Sequence, residues 1–407
     1  MKQHPITAMH VCYLSPNQTG YETRVVEETS LLQKEGINVI IACFVDKKHF
    51  FPKELYERLK KATNARIYII PTSQYFDISI PHGGVKSISW PLIALAKLHK
   101  VQILHGQALY STMHALRVRE RIGAKVVFDV HGASPDEEEM SGSSAGRIKT
   151  MTDWEQEALQ KADFRIYVSN RMKHFFEAKY NLPSLPHIEV PCCVHSSKFS
   201  MTEAQRRAKR LELGIDDKFV IAYLGTLSVW QWPDAMFSLF SIIKKMNPKC
   251  FFGLFIPKHD HEKAKSFIDK YNIPNDSFFL KEVPHSNIGS FLGAVDAGLL
   301  LRKFNPVNLV SSPTKFGEYL AAGVPVIATD GIGDTSEFIH ERQIGLIIPV
   351  NSDTWNEIEI RNINDYLNSV EKNRTAIAKK CCEFSNNFLS WEKGGRTLAD
   401  TYASLVA

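Results

Sequence analysis

At 407 residues the chain is too long for one ordinary hydrophobic core, so two domains are expected. Its charged and hydrophobic fractions, 23% and 44%, describe a soluble globular protein. A net charge of +5 with no dense Lys/Arg run argues against nucleic acid and suits an anionic ligand or a membrane surface.

The first half alternates short apolar runs with helical segments. AMHVCYLS from Ala8 predicts a strand, TRVVEETSLLQKEG an amphipathic helix stopped by Gly36, and NVIIACF the next strand. ARIYII, VQILHG, STMHALRVRERIG, AKVVFDVHG and ADFRIYVS continue the alternation. Strands that are nearly continuous apolar runs, separated by helices, indicate a parallel sheet covered on both faces. From Met201 to Asp217 the pattern gives way to a charge-rich stretch, expected to be a linker with a connecting helix. It restarts with KFVIAYLG, CFFGLFI, SFFLKEV, DAGLLL and VPVIAT, and SWEKGGRTLADTYASLVA predicts a last helix. The fold class is therefore α/β, two tandem doubly wound domains facing across a cleft. Such sheets bind ligands at the carboxyl ends of their strands. The expected division is 1–195, a linker at 196–217, 218–384, and a terminal helix at 385–407 that crosses back to the first domain. Neither half has G-x-G-x-x-G after its first strand, which disfavours a nicotinamide or flavin cofactor.

Seven cysteines, two adjacent pairs among them and no C-x-x-C, fit a reducing compartment. The start MKQHPITAMHVCYLSPN has no apolar stretch long enough for a signal peptide, so a cytoplasmic protein is expected. The segment GGVKSISWPLIALAKLHK mixes Lys86, Lys97 and Lys100 with Trp90, Leu92 and Ile93. It reads as a core-facing helix interrupted by Pro91, with membrane contact as the alternative.

Several polar residues fall where strands should open into the cleft. Gly20 permits a tight turn and close backbone approach to an anion, and Arg24 reads as a solvated or structural charge. His131, between a buried strand and Gly132, is placed to bond a substrate hydroxyl or a neighbouring carbonyl. His105 reads as a satisfied core histidine, and Asp129 as a carboxylate holding a loop through backbone N–H groups. Gly225, Thr226 and Ser228 follow the first strand of the second half as neutral donors, with Trp230 and Trp232 expected to pack. Arg302 should project from a strand end, where a cation can clamp a diphosphate. The cluster KHDHE from Lys258 is discounted as a metal site, with Asp260 or His259 expected to start a helix. PDEEEM around Glu138 likewise has no metal spacing.

In SSPTKFGEYLAAGVPVIAT, Ser311 or Ser312 is expected to cap a helix, Pro313 to sit in its first turn and Gly323 to end it. Lys315 and Glu318 then share one face, as a surface ion pair or as ligands to something beyond the helix.

Taken together, TRVVEETSLLQKEGINVIIA, VVFDVHG, ADFRIYVSNRMKHFF, VPCCVHSSKF and above all SSPTKFGEYLAAGVPVIAT with GIGDTSEFI resemble the GT-B glycosyltransferases of family 4. The likeness is strongest to the surface-polysaccharide and lipopolysaccharide branch, and covers nearly the whole chain. It implies a retaining enzyme that moves a sugar from a nucleoside diphosphate to a glycan or lipid-linked acceptor, with no cofactor or metal required. The expected location is cytoplasmic, peripheral on the cytoplasmic face of the inner membrane. In the resemblance Glu318 matches the glutamate that accepts the ribose hydroxyls. The expected donor-binding set, from position and resemblance together, is Gly20, Gly225, Thr226, Ser228, Val283, Arg302, Asn308, Ser311, Ser312, Lys315 and Glu318. The expected catalytic set is His131, Arg302, Lys315 and Glu318.

Three departures stand out. Val310 replaces the family's first motif glutamate. Thr226 and Gln231 fall roughly where many members carry Arg and Lys for the diphosphate. His195 replaces an Asp and reads as structural. Arg302 and Lys315 are candidates for the missing charge by position rather than family precedent. A nucleotide-sugar epimerase or phosphorylase of the same fold, or a non-catalytic partner subunit, are the alternatives.

Overall fold

The computed structural model describes residues 6–14, 19–46, 53–72, 83–349 and 355–407. The chain divides into two units, Met1–Pro191 with Trp391–Ala407, and Cys192–Ser390. Each is built on a parallel sheet, as the apolar runs predict.

The first unit has seven strands: β1 (Thr7–Tyr13), β2 (Asn38–Asp46), β3 (Arg66–Thr72), β4 (Ile103–Gln107), β5 (Lys125–Asp129), β6 (Phe164–Tyr167) and β7 (His187–Glu189). They lie in the order β3-β2-β1-β4-β5-β6-β7, all pairs parallel. The order reverses between β1 and β4, which are buried over almost their whole lengths. The last helix, Trp391–Val406, belongs to this unit and packs on the helix Thr19–Lys34.

The second unit has six strands: β8 (Phe219–Leu224), β9 (Cys250–Phe255), β10 (Phe278–Lys281), β11 (Ala297–Leu300), β12 (Val326–Thr329) and β13 (Gly345–Ile348). Their order is β10-β9-β8-β11-β12-β13, with the reversal between β8 and β11. Only Ile221↔Ala297 and Ala222↔Gly298 pair across that junction, so the two chains separate early and leave a crevice at their carboxyl ends. Apolar clusters cover both faces, one around Phe237, Phe240 and Phe252, the other around Phe316, Leu320 and Val324.

Three sequence expectations are corrected. Residues 196–217 are part of the second unit rather than a linker. The helix Glu203–Leu213 sends Arg206 and Arg210 onto Asp296 at 2.5 and 3.1 Å, and Asp296 also accepts the N–H of Val220 at 2.8 Å. The boundary at 384 falls inside the helix Glu357–Phe388, so the units part at 390/391. Pro91 does not end its helix, which runs Gly83–Leu98 with Leu92 and Ala96 buried and Trp90 and Leu98 exposed. Among the described residues no helix is long and apolar enough to cross a membrane.

Candidate functional site

In the second unit the site is built around the crevice between β8 and β11. The chain leaving β8 turns through Gly225 at φ 119°, a conformation that side chains rarely adopt. The turn is pinned from the helix His261–Lys270 and the residue before it: Leu227 donates its N–H to Asp260 Oδ2 at 2.8 Å and accepts from Lys263 Nζ at 2.6 Å. Asp260 or His259 was expected to start a helix, and Asp260 stands at the N-cap of this one, where a side-chain cap bond is the usual role. It makes no such bond, because its carboxylate is committed to this turn. Thr226 and Ser228 bond each other through their hydroxyls at 2.8 Å.

Opposite the turn, Arg302 follows β11. Its backbone is clasped by Thr329 at the end of β12, whose hydroxyl accepts from Arg302 N–H and donates to Arg302 C=O, each at 2.8 Å. The guanidinium is buried and donates to Asn308 Oδ1 at 3.2 Å and Ser311 Oγ at 3.1 Å. Its Nε–H has no hydrogen-bond partner among the described residues. Burial pushes Arg302 down to about 10.

The helix Thr314–Ala321 lies over the same strands because Tyr319 packs on Gly298, where a Cβ would come 2.7 Å from the ring, and donates to Ala222 C=O at 3.2 Å. That seating carries Lys315 toward the turn. Lys315 Nζ donates to Gln231 Oε1 at 3.1 Å and to the Tyr223 hydroxyl oxygen at 3.3 Å, and sits 4.5 Å from the centroid of that ring. A Cβ on Gly225 would lie 2.9 Å from it. Burial, and then Arg302, push the amine well below the ordinary lysine range. Two basic side chains therefore converge on one crevice, and among the described residues every hydrogen-bond partner of either is neutral.

Neither serine caps the helix. Ser311 serves Arg302 and donates to Asn308 C=O, while Ser312 accepts from Cys192 N–H at 3.1 Å, and Pro313 stands just before the first turn. Lys315 and Glu318 do not pair with each other. Buried Glu318 accepts from His285 Nε2 at 2.7 Å, and this bond raises the pKa of the largely exposed imidazole. Val283 packs against the apolar cluster two residues before His285. Gly20 lies in the first turn of the helix Thr19–Lys34, in the other unit.

The first unit has its own polar cluster at the β1/β4 reversal. Arg24 makes a bidentate pair with Asp129, Nε–Oδ2 at 2.7 Å and Nη2–Oδ1 at 2.9 Å. Asp129 thus holds a guanidinium rather than the loop N–H groups expected for it, and Arg24 is the structural charge. His131 Nε2 donates to Gln107 Oε1 at 2.8 Å and Asp129 Oδ2 at 3.1 Å. Gln107 in turn donates to Glu28 Oε2 at 2.6 Å, and His105 is fully buried against Tyr402. Glu28, His105 and Asp129 bring ligand-type atoms within 4.8 Å of one another. With both Asp129 oxygens already bound by Arg24, this set is built for a guanidinium and not for a metal.

Burial opposes the charge on Asp129, but Arg24 and His131 outweigh it and hold the carboxyl well below its usual range. Glu28 goes the other way, pushed up to about 8 by burial and by Asp129. The folded protein therefore keeps a proton on Glu28 that the unfolded chain releases near pH 4.3, so stability falls as pH rises from there toward 8. A Glu28→Gln variant is expected to flatten that decline and to exceed the parent at pH 8 by on the order of a few kcal/mol. Urea midpoints at pH 5 and pH 8 measure it, and parallel profiles for the two proteins would refute it.

The model for glycosyl transferases group 1 matches residues 205–383, and the model for Glycosyltransferase Family 4 matches residues 19–198. The two are in tandem and between them account for both units. The chain belongs to the GT-B glycosyltransferases of family 4. Solved structures share the fold of this glycosyltransferase at low identity. HepE of Anabaena, solved in complex with UDP, is 12% identical with TM-score 0.72 over 98% of this chain and 100% of its own. A glycosyltransferase of Rickettsia africae is 16% identical with TM-score 0.74 over 99% of both chains. WaaG, a glycosyltransferase involved in lipopolysaccharide biosynthesis, is 13% identical with TM-score 0.67 over 98% and 99%. No curated protein matches the chain.

Seen within family 4, Val310 is fully buried and its side chain offers no polar group. Gln231 is the acceptor for Lys315 Nζ, and His195 opens a 3-10 turn in which its C=O accepts from Lys198 N–H. Tyr223, Thr329 and His285 join the candidate site without having been singled out in the sequence. A hydroxyl near the end of an apolar strand, in AYLG, was the available signal for Tyr223, and a His soon after a strand for His285.

Proposed function

We propose that the crevice of the second unit binds the nucleoside diphosphate of a sugar donor, and that the enzyme transfers the sugar with retention to a hydroxyl of a glycan or lipid-linked acceptor in surface-polysaccharide assembly. The observation that carries this reading is the pair Arg302 and Lys315, two basic side chains held by Asn308, Ser311, Tyr223 and Gln231 with no carboxylate bonded to either among the described residues. Placing cations without buried counter-charge is costly unless an anion completes the site.

In the transfer, the bond from the anomeric carbon to the diphosphate oxygen breaks and a bond to the acceptor oxygen forms on the same face. The acceptor's proton passes to the departing phosphate. Arg302 and Lys315 stabilise the charge that develops there. Glu318 accepts the ribose hydroxyls, which requires it to share or release His285. His131, held by Gln107 and Asp129, is assigned to the sugar or the acceptor. Exposed Trp90 and Leu98 beside Lys97 and Lys100 are the proposed contact with a membrane carrying a lipid-linked acceptor.

A thermal-shift panel with UDP, GDP, ADP, dTDP and CMP, with NAD as control, tests the donor site. UDP comes first because HepE was solved with it. A nucleotide at a hundred times its dissociation constant is expected to stabilise the protein by about 2.7 kcal/mol, and Glu318→Ala to remove the shift. No shift with any nucleotide would favour a non-catalytic partner subunit. Conversion of a nucleotide sugar with no acceptor present would favour an epimerase.

A further inference from the structure

We propose that Lys315 stands as a neutral amine in the protein by itself and takes up a proton when the diphosphate binds, so that donor recognition and protonation are one event. The inference deepens the donor-site reading and rests on it.

The hydrogen-bond inventory around Nζ carries the argument. A neutral amine has two N–H donors and a lone pair, whereas an ammonium has three donors and nothing to accept with. Two acceptors face Nζ, Gln231 Oε1 and the Tyr223 oxygen. Tyr223 spends its own proton on Thr226 C=O at 2.5 Å, so its oxygen can only accept there. Both N–H groups of a neutral amine are thereby satisfied. A third finds no protein acceptor among the described residues, where Lys315 makes no further hydrogen bond and no ion pair, and is left to solvent.

The surrounding charges point the same way. Arg302 is a fixed cation that raises the cost of a second one beside it, and it acts on Lys315 second only to burial. Glu318, one turn along the same helix, is the single carboxylate that favours the ammonium, and it is held by His285. Tyr223 faces Lys315 from β8 and Gln231 from the 3-10 turn that follows, neither charged. A diphosphate reverses this balance. Its oxygens supply the missing acceptor and the negative charge that makes the ammonium the favoured form. The proton comes from solvent to Nζ, and no bond to the nucleotide forms. Partial exposure of Lys315 gives both a path.

Calorimetric titration of the full chain with UDP, or whichever nucleoside diphosphate the panel selects, reads this directly. At pH 8 the observed heat is expected to depend on the ionisation enthalpy of the buffer with a slope of about one proton taken up per nucleotide. Where Lys315→Arg, charged at every pH, retains measurable binding, the slope should be abolished. Binding by the parent protein without a slope, or a slope that persists in Lys315→Arg, would overturn the proposal. A second measurement needs no nucleotide. The 13Cε resonance of Lys315, assigned by its loss in Lys315→Arg, should titrate clearly below the ordinary lysine value of about 10.4. A midpoint at that value overturns the proposal whatever the nucleotide does. A chain that binds none of the panel loses the donor site and the coupling together, whereas one that binds without proton uptake loses the coupling alone.

Discussion

An Arg302→Met variant is expected to lose nucleotide binding and turnover while keeping, or gaining, thermal stability. Removing one preorganised donor from a developing charge costs about 2.7–4 kcal/mol, roughly a hundred- to a thousandfold in kcat. A structural arginine would show the opposite pattern. Arg302 is buried and, among the described residues, has only neutral partners and no partner for its Nε–H, so the fold carries its desolvation without an ion pair in return. Methionine has a comparable reach and removes that burden, at the expense of leaving Asn308 Oδ1 and Ser311 Oγ each without one donor, about 1 kcal/mol apiece. Thermal midpoint, nucleotide affinity and turnover should be measured on the same preparation. A midpoint lowered by many degrees, with affinity for nucleotide intact, would make Arg302 a strut and remove it from the site.

Arg24→Met in the first unit should do the reverse and strike stability. Arg24 and Asp129 are both buried, and the guanidinium also donates to Val190 C=O at 3.2 Å. Without Arg24 the Asp129 carboxylate is left in the interior beside Glu28, and breaking a buried pair in this way costs about 3–5 kcal/mol. For a unit of this size the midpoint should fall by about 10 °C or more. The double variant Arg24→Met, Asp129→Asn removes the stranded charge and should recover part of the loss. Its sign is worked from the depressed carboxyl: stability contributed by Asp129 is present above its ordinary value near pH 3.9 and is lost as pH falls through its folded value. Purely additive losses in the two single variants would show that the pair is not coupled.

Where the arrangement of polar side chains is local, sequence reading reaches it. SSPTKFGEYLAAGVPVIAT predicts its helix, the Gly323 stop at φ 70° and the buried β12, because a helix end and a buried strand are written in residues a few positions apart. The strand end brought Arg302 to the crevice and the helix start brought Lys315 there, whereas the role given to Glu318 rests on the family resemblance. It could not tell that Ser311 and Ser312 leave the helix start to serve Arg302 and Cys192, since the competing donors come from other elements. Asp260 starts its helix as read, but its carboxylate is taken by Leu227 from thirty-three residues away instead of capping.

The alternation of apolar runs and helices by itself determined two parallel sheets, and with them where each strand's carboxyl end would open. A period of two or 3.6 residues and a run buried on both faces are properties of neighbouring residues. Which polar groups meet was decided only by the tertiary structure. Asp129 receives Arg24 across 105 residues, His105 reaches Tyr402 across 297, and Lys315 finds Tyr223 and Gln231 across 92 and 84. Partners for a buried charge are chosen by the packing that removes water from it, and no local pattern carries that information.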